Sequence, residues 1–225
     1  VLFDADYALV VQGRLHAVGA AQDSIRFLAG ATRKWGGIRF SGGDTSTIAF
    51  ARVSGGHSSF RGGAVYVEGT ATRLGLFHCV MSGNKAEEGG AIFCFNYAVV
   101  TAANCLFHNN NASAYGGAVT TYYYSKASFA NCTVVGNSAP DAAVVNDGGG
   151  ETVWSNSIFW ANGVQQLRNG TSPSSNRIDL RYSDVQGPFP ANVTNVLGNI
   201  SSDPLFVNSD AGDFRLQNRS PCRDS

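Results

Sequence analysis

The pattern Gly-Gly-Ala-aliphatic occurs three times at a constant interval, as Gly62-Gly63-Ala64-Val65, Gly89-Gly90-Ala91-Ile92 and Gly116-Gly117-Ala118-Val119. The starts are 27 residues apart each time (89 − 62 and 116 − 89), and self-similarity at a fixed period marks a repeat architecture. A second motif keeps step with the first: Cys79-Val80-Met81-Ser82-Gly83-Asn84, Cys105-Leu106-Phe107-His108-Asn109-Asn110 and Cys132-Thr133-Val134-Val135-Gly136-Asn137. A weaker copy is Ser157-Ile158-Phe159-Trp160-Ala161-Asn162, and the four asparagines fall 26, 27 and 25 residues apart. Gly36 precedes Gly62 by 26 residues and Ser183 follows Ser157 by 26, so the period spans most of the chain.

These units are rich in Gly, Asn, Ser, Thr, Val and aromatic residues with alternating apolar positions, which predicts short strands and tight turns rather than paired helices. About 26 residues is too short for a propeller blade and suits one coil of an all-β, right-handed parallel β-helix. The 225 residues then make roughly eight to nine coils in a single domain over 1–225, a rod on the order of 40 Å long at ~4.8 Å per coil. Irregular loops are expected near 163–176 and 187–204, where Ser, Pro and Asn accumulate.

Stacking gives each column a meaning. Cys79, Cys105, Cys132 and Ser157 form one ladder, and Met81, Phe107, Val134 and Phe159 lie two positions on, facing the same interior. His78, Asn104, Asn131 and Asn156 then point outward. The column Asn84, Asn110, Asn137 and Asn162 is expected at a turn, in the left-handed backbone region that Asn tolerates, its amides bonding between coils. The glycines supply corners that a side chain would block. The five cysteines, Cys79, Cys94, Cys105, Cys132 and Cys222, include no Cys-x-x-Cys pair. The ladder reads as buried free thiols, with Cys222 the candidate for a bond or an exposed thiol.

Gly-Gly-Ala-Ile at Gly89 to Ile92 and Phe-x-x-Asn at Phe107 to Asn110 resemble the paired repeats of chlamydial polymorphic outer-membrane proteins. They are also similar to repeats of secreted bacterial right-handed parallel β-helix proteins. The tail Asp203-Pro204-Leu205-Phe206, Gly212-Asp213-Phe214-Arg215-Leu216 and Ser220-Pro221-Cys222-Arg223-Asp224-Ser225 resembles the closing segment of the latter group, and Trp35-Gly36-Gly37-Ile38-Arg39-Phe40 one of its opening coils. The resemblance implies a secreted or cell-surface location and transfers no catalytic residue. A chain that begins at Val1 and stops at Ser225 is expected to be a processed product or a fragment.

The formal net charge is zero, with 16 basic and 16 acidic residues, which supplies no field to gather nucleic acid. No continuous apolar run long enough for a membrane-spanning helix is present. Polysaccharide lyases and glycosidases need clustered carboxylates, yet Glu68, Glu87, Glu88, Asp141, Asp147 and Glu151 share no evident phase. Asp179, between Arg177 and Arg181, reads as part of a solvated charged strip. The four histidines also differ in phase, so neither a catalytic nor a metal-binding set is assigned. Calcium is the one cofactor for which oxygen ligands are in sight, at Asp203, Asn208, Asp210 and Asp213, a segment read as a solvated turn.

Aromatic residues crowd one part of the coil: Tyr66, then Phe93, Phe95 and Tyr97, then Tyr122, Tyr123 and Tyr124. Two arrangements are open. Rings stacked along a groove would bind the apolar faces of sugars, with Tyr97, Tyr122, Tyr123 and Tyr124 the candidate binding residues. Alternatively, alternate rings fill the interior, with Phe93 and Tyr66 in register with Phe40, the arrangement favoured here. The chain thus reads as a non-catalytic surface scaffold or adhesin-like module whose partners are a glycan or a cell-surface protein. A lyase-type β-helix and a fibre subunit stacking through its solenoid ends are the alternatives.

Overall fold

Alternating apolar residues between glycine and asparagine corners fold as short strands that pair only with their equivalents one period away. One coil consists of Ile92–Phe95, Val99–Ala103, Leu106–His108 and Asn111–Tyr115. Ile92 lies opposite Val65 and Val119, Val100 opposite Leu74 and Ala127, and Phe107 opposite Met81 and Val134, all in parallel register. The computed structural model describes residues 1–4, 6–31, 34–170, 175–190 and 192–223. In it, three parallel sheets of eight, seven and eight strands, here A, B and C, run the length of the chain. Each coil passes from B to C to A. Among the described residues there is no helix, and hence none long and apolar enough to cross a membrane.

The fold is a parallel β-solenoid of about 7 turns at about 26 residues per coil, fewer turns than length alone predicts. The reason lies at the C-terminus, where Phe206–Asn208 and Asp213–Leu216 pair as an antiparallel hairpin. It leaves the coil and lies against the outside of sheet A, its Phe214 ring 5.4 Å from that of His108. The segments read as loops also hold coil strands. Leu167–Asn169 extends sheet B and Thr194–Leu197 extends sheet C; residues 171–174 and 191, within those segments, and 224–225 of the tail motif lie outside the described residues.

The interior is built from the columns. Ile38, Val65, Ile92, Val119, Val144 and Leu167 line sheet B, and Met81, Phe107, Val134 and Phe159 line sheet A, all fully buried. Phe129 and Trp154 stack at 3.8 Å between successive coils, and Phe159 meets Trp154 edge-on at 4.8 Å. Burying each such side chain contributes about 1.5–3 kcal/mol, and this continuous apolar axis holds the coils together.

The asparagine column is a hydrogen-bond ladder. Asn84 Nδ2 donates to Asn110 Oδ1, Asn110 Nδ2 to Asn137 Oδ1 and Asn137 Nδ2 to Asn162 Oδ1, each at 2.9 Å. The same Nδ2 atoms reach back to Val53, Met81 and Phe107 carbonyls of the preceding coil. Gly56 N–H and the Gln166 side chain close the two ends. These asparagines are not themselves in the left-handed region. That conformation belongs to the residue before each, Gly83, Asn109, Gly136 and Ala161, at φ between 52° and 64°, because the turn must complete before the amide can enter the core.

The thiol column sits inside, each sulfur donating to the carbonyl two residues back, Phe77, Ala103 and Ala130, at 3.3 Å. Ser157 and Ser183 repeat that bond with hydroxyls. Cys79 and Cys105 are raised by hydrogen bonding to the next thiol of the column and by burial, and Cys132 is lowered by its bond with Cys105. All five cysteines are free. Cys222 is half-buried and donates to Asp184 at 3.1 Å, so it is neither bonded to another sulfur nor openly exposed.

The glycine pairs divide their labour. Gly62, Gly89 and Gly116 have φ near 60–66°, whereas a Cβ on Gly90 would stand 2.1 Å from the Gly117 carbonyl oxygen of the next coil. The pairing also corrects one alignment. Ile38 lies opposite Val65, so Gly36 stands over Gly63, a one-residue slip from its sequence match to Gly62.

Candidate functional site at the tyrosine corner

Sheet B turns into sheet C through a tight corner, and three successive coils place two left-handed residues there: Asn96-Tyr97, Tyr123-Tyr124 and Gly148-Gly149. Glycine occupies that region freely, whereas a tyrosine there is a backbone outlier costing on the order of 1–3 kcal/mol. Tyr97, Tyr123 and Tyr124 nevertheless hold φ of 63°, 52° and 56°. The three residues are 45%, 44% and 41% exposed. Tyr97 stacks on Tyr124 at 5.4 Å and meets Tyr123 edge-on at 5.9 Å. Tyr122 stacks on Phe95 at 6.0 Å. The four tyrosines read from the sequence therefore form one surface cluster.

The remaining aromatic residues do not fill the interior. Along each strand of sheet B, Ile92 and Cys94 point in, while Phe93 and Phe95 lie on the outer side. Phe40 pairs with Val67, and it is Arg39 that lies opposite Tyr66 and, beyond it, Phe93. Phe93 is buried all the same, because Tyr66 packs beside it at 6.0 Å and the Arg61 guanidinium covers it at 4.7 Å. Arg61 also lies over Phe60 at 4.3 Å and Phe95 at 5.1 Å, contacts of about 0.5–2 kcal/mol. Burial, and then the bond its hydroxyl donates to Glu68, push the Tyr66 phenol up to about 12.

Next to the rings a cavity of about 580 Å³ opens on the same face. Its cause is a drop in side-chain size along one column. Tyr66 and Phe93 are followed by Thr120 and Val145, then by Arg168, so the small pair forms a floor between large walls. One wall is the residue preceding each corner: Arg61, Glu88, Tyr115 and Asp141. Arg61 donates to Glu88 at 2.8 Å, and Arg168 clasps Asp141 and reaches Asp147 at 3.8 Å. Tyr122 belongs to both the cavity and the tyrosine cluster.

The sequence analysis found no acidic phase across successive coils, and in the structure Glu88 stands between a basic and an aromatic neighbour. Arg61 bridges Glu88, and Glu88 pairs with Tyr115, one column that the sequence marks as the residue before Gly62, Gly89 and Gly116. Asp147 comes from the far end of the strand, and Arg168 from two coils beyond Tyr122. Only stacking joins them. Chemically, Glu88 and Asp141 each accept from an arginine, so the cavity offers fixed hydrogen-bonding groups and ring faces instead of a free acid and base.

Other expected sites are distributed differently. Asp203 and Asn208 accept backbone N–H groups of their own turns, and Arg215 clasps Asp213 through two bonds, holding its carboxyl down at about 2. Among the described residues no group of three or more His, Cys, Asp or Glu side chains is placed to hold a metal ion. Asp179 is buried and paired with Arg177 at 2.7 Å, not part of a solvated strip.

Comparison with known proteins adds one finding. Residues 78–94, which run from the outward turn through the asparagine ladder to the glycine corner, match the Chlamydia polymorphic membrane protein repeat. No curated protein and no solved structure matches the chain. The chain is a parallel β-solenoid repeat protein similar, over that repeat, to the polymorphic membrane proteins.

Proposed function

We propose that this protein is a surface-displayed, adhesin-like module that binds carbohydrate at the tyrosine corner and the adjoining cavity. The observation that carries the reading is the strained backbone of Tyr97, Tyr123 and Tyr124 beside the unstrained Gly148-Gly149 of the next coil. Glycine would build the same corner without strain, so what the tyrosines add is their exposed faces. Stacked rings cover the apolar face of a pyranose, and the Arg61–Glu88 and Arg168–Asp141 pairs supply oriented donors and acceptors for hydroxyls. Display at a cell surface is in keeping with the repeat match and with the neutral overall charge.

The test is a glycan array probed with wild type and a Tyr123→Gly, Tyr124→Gly double variant. Glycine suits both backbone positions, so the variant keeps its fold while losing the rings. Binding by wild type that drops at least tenfold in the variant is the expected result. A wild type that binds no glycan, or a variant that binds as well, rejects the proposal.

A further inference from the structure

A second corner, where sheet C turns into sheet A, carries an unbroken row of left-handed residues on six successive coils: Phe50, His78, Asn104, Asn131, Asn156 and Tyr182, with φ between 47° and 54°. Each donates its N–H to the next coil at the same place, from Phe50 to the Phe77 carbonyl through to Tyr182 and the Leu197 carbonyl. None of the six is glycine, although other left-handed columns use it freely. Asn and His accept that region whereas Phe50 and Tyr182 are strained in it, and an exposed edge that keeps a side chain on all six coils where glycine would serve points to the side chains.

The row has an ordered chemistry. At one end Phe50 stacks on His78 at 4.6 Å with the rings 3° from parallel. At the other the Tyr182 ring lies so close over Gly198 that a Cβ there would be 2.5 Å from it. Between these ring platforms stand three carboxamides. Those of Asn131 and Asn156 have no hydrogen-bond partner among the described residues, and Asn104 reaches His78 at 3.5 Å.

The row lines a groove. Three cavities, of about 300, 490 and 630 Å³, lie end to end along it; the first two share His78 and Val80, the second and third share Asn131 and Thr133. The C-terminal hairpin forms the opposite wall over the lower two, with Asp213, Phe214 and Arg215 facing the amides. Because the six residues sit on successive coils, the groove runs along the solenoid axis for roughly 24 Å, five steps of ~4.8 Å.

We infer that this groove binds a linear, uncharged polysaccharide lying along the solenoid axis. Spacing selects the polymer class. An extended peptide presents side chains to one face about every 6.7 Å and falls out of step with the coils, whereas each pyranose of an extended glycan advances by about one strand spacing and, although alternate units are turned over, presents polar groups at every step. Carboxamides at that interval offer a donor and an acceptor to each sugar's hydroxyl or acetamido groups, and the terminal rings cover sugar faces. The site is separate from the tyrosine corner, from which a five-residue strand of sheet C divides it.

The experiment is titration calorimetry with cello- and chito-oligosaccharides of two to six units against wild type, an Asn131→Gly, Asn156→Gly variant and the Tyr123→Gly, Tyr124→Gly variant. Glycine keeps the left-handed backbone and removes only the amide, and circular dichroism checks the fold. The expected result is affinity that rises with length to about five units and falls at least tenfold in the asparagine variant. No binding by wild type, or equal binding by the asparagine variant, overturns the groove. Loss in the tyrosine variant alone assigns these ligands to the other corner and equally overturns it.

Discussion

Asn110 contributes four side-chain hydrogen bonds within the buried interior: it donates to Met81 and Asn137 and accepts from both the backbone and the side chain of Asn84. Replacement by alanine leaves buried partners on the two neighbouring coils unsatisfied, at ~1–3 kcal/mol each. Asn110→Ala is therefore expected to destabilise by about 3 kcal/mol or more in urea unfolding; a loss below about 1 kcal/mol would contradict the ladder's role. Asp184 carries the opposite sign. Burial raises its carboxyl above the unfolded value, despite the bonds it accepts from Ser202 and Cys222. The folded state then binds the proton more tightly than the unfolded chain, so this residue's contribution falls as pH rises above the ordinary carboxylate range. Asp184→Asn should thus raise Tm more at pH 7 than at pH 3, and an advantage that shrinks with rising pH would refute the assignment. At this scale much was legible: the ladders of Cys79, Cys105 and Cys132 and of Asn84 to Asn162 follow from period alone. The site of the positive φ, one residue earlier, was not, since spacing locates a turn but not which residue inverts its backbone.

At the scale of an element, glycines of two successive turns, Gly83 and Gly90, answer to different constraints. Gly90→Ala drives a Cβ into a carbonyl of the next coil and is expected to cost about 3 kcal/mol or more. Gly83→Ala meets nothing within 4 Å and bears only its φ of 64°, worth about 1–2 kcal/mol. Thermal unfolding of the two variants should preserve that order, and a reversed order would rule out the close-approach explanation. The candidate site shows where sequence reasoning stops at this level. Tyr97 and Tyr122 to Tyr124 were visible as a cluster because they are adjacent or one period apart. The cavity beside them was hidden, because it depends on Thr120 and Val145 following Phe93 along a column, a change of size that no motif records. Phe93 itself was misplaced inward by aligning it with Phe40 instead of Arg39, since one residue of slip exchanges the faces of a strand.

Across the whole molecule, stability follows from each coil meeting only its neighbours. The hairpin at 206–216 departs from that pattern, touching sheet A from outside. A chain ending at residue 202 is expected to keep its β-type circular dichroism and lose a few degrees in Tm, with the asparagine groove opened on one side. Collapse of the spectrum would instead make the hairpin part of the folding unit. The in-register stacking also fixes a mechanical property. Every ladder hydrogen bond in sheets A, B and C points along the rod, so a load applied to its two ends meets those bonds in series and opens them one coil at a time. Each released coil of about 26 residues would lengthen the tether by on the order of 90 Å. A rod built this way yields by stepwise extension under tension while staying stiff to pressure from the side.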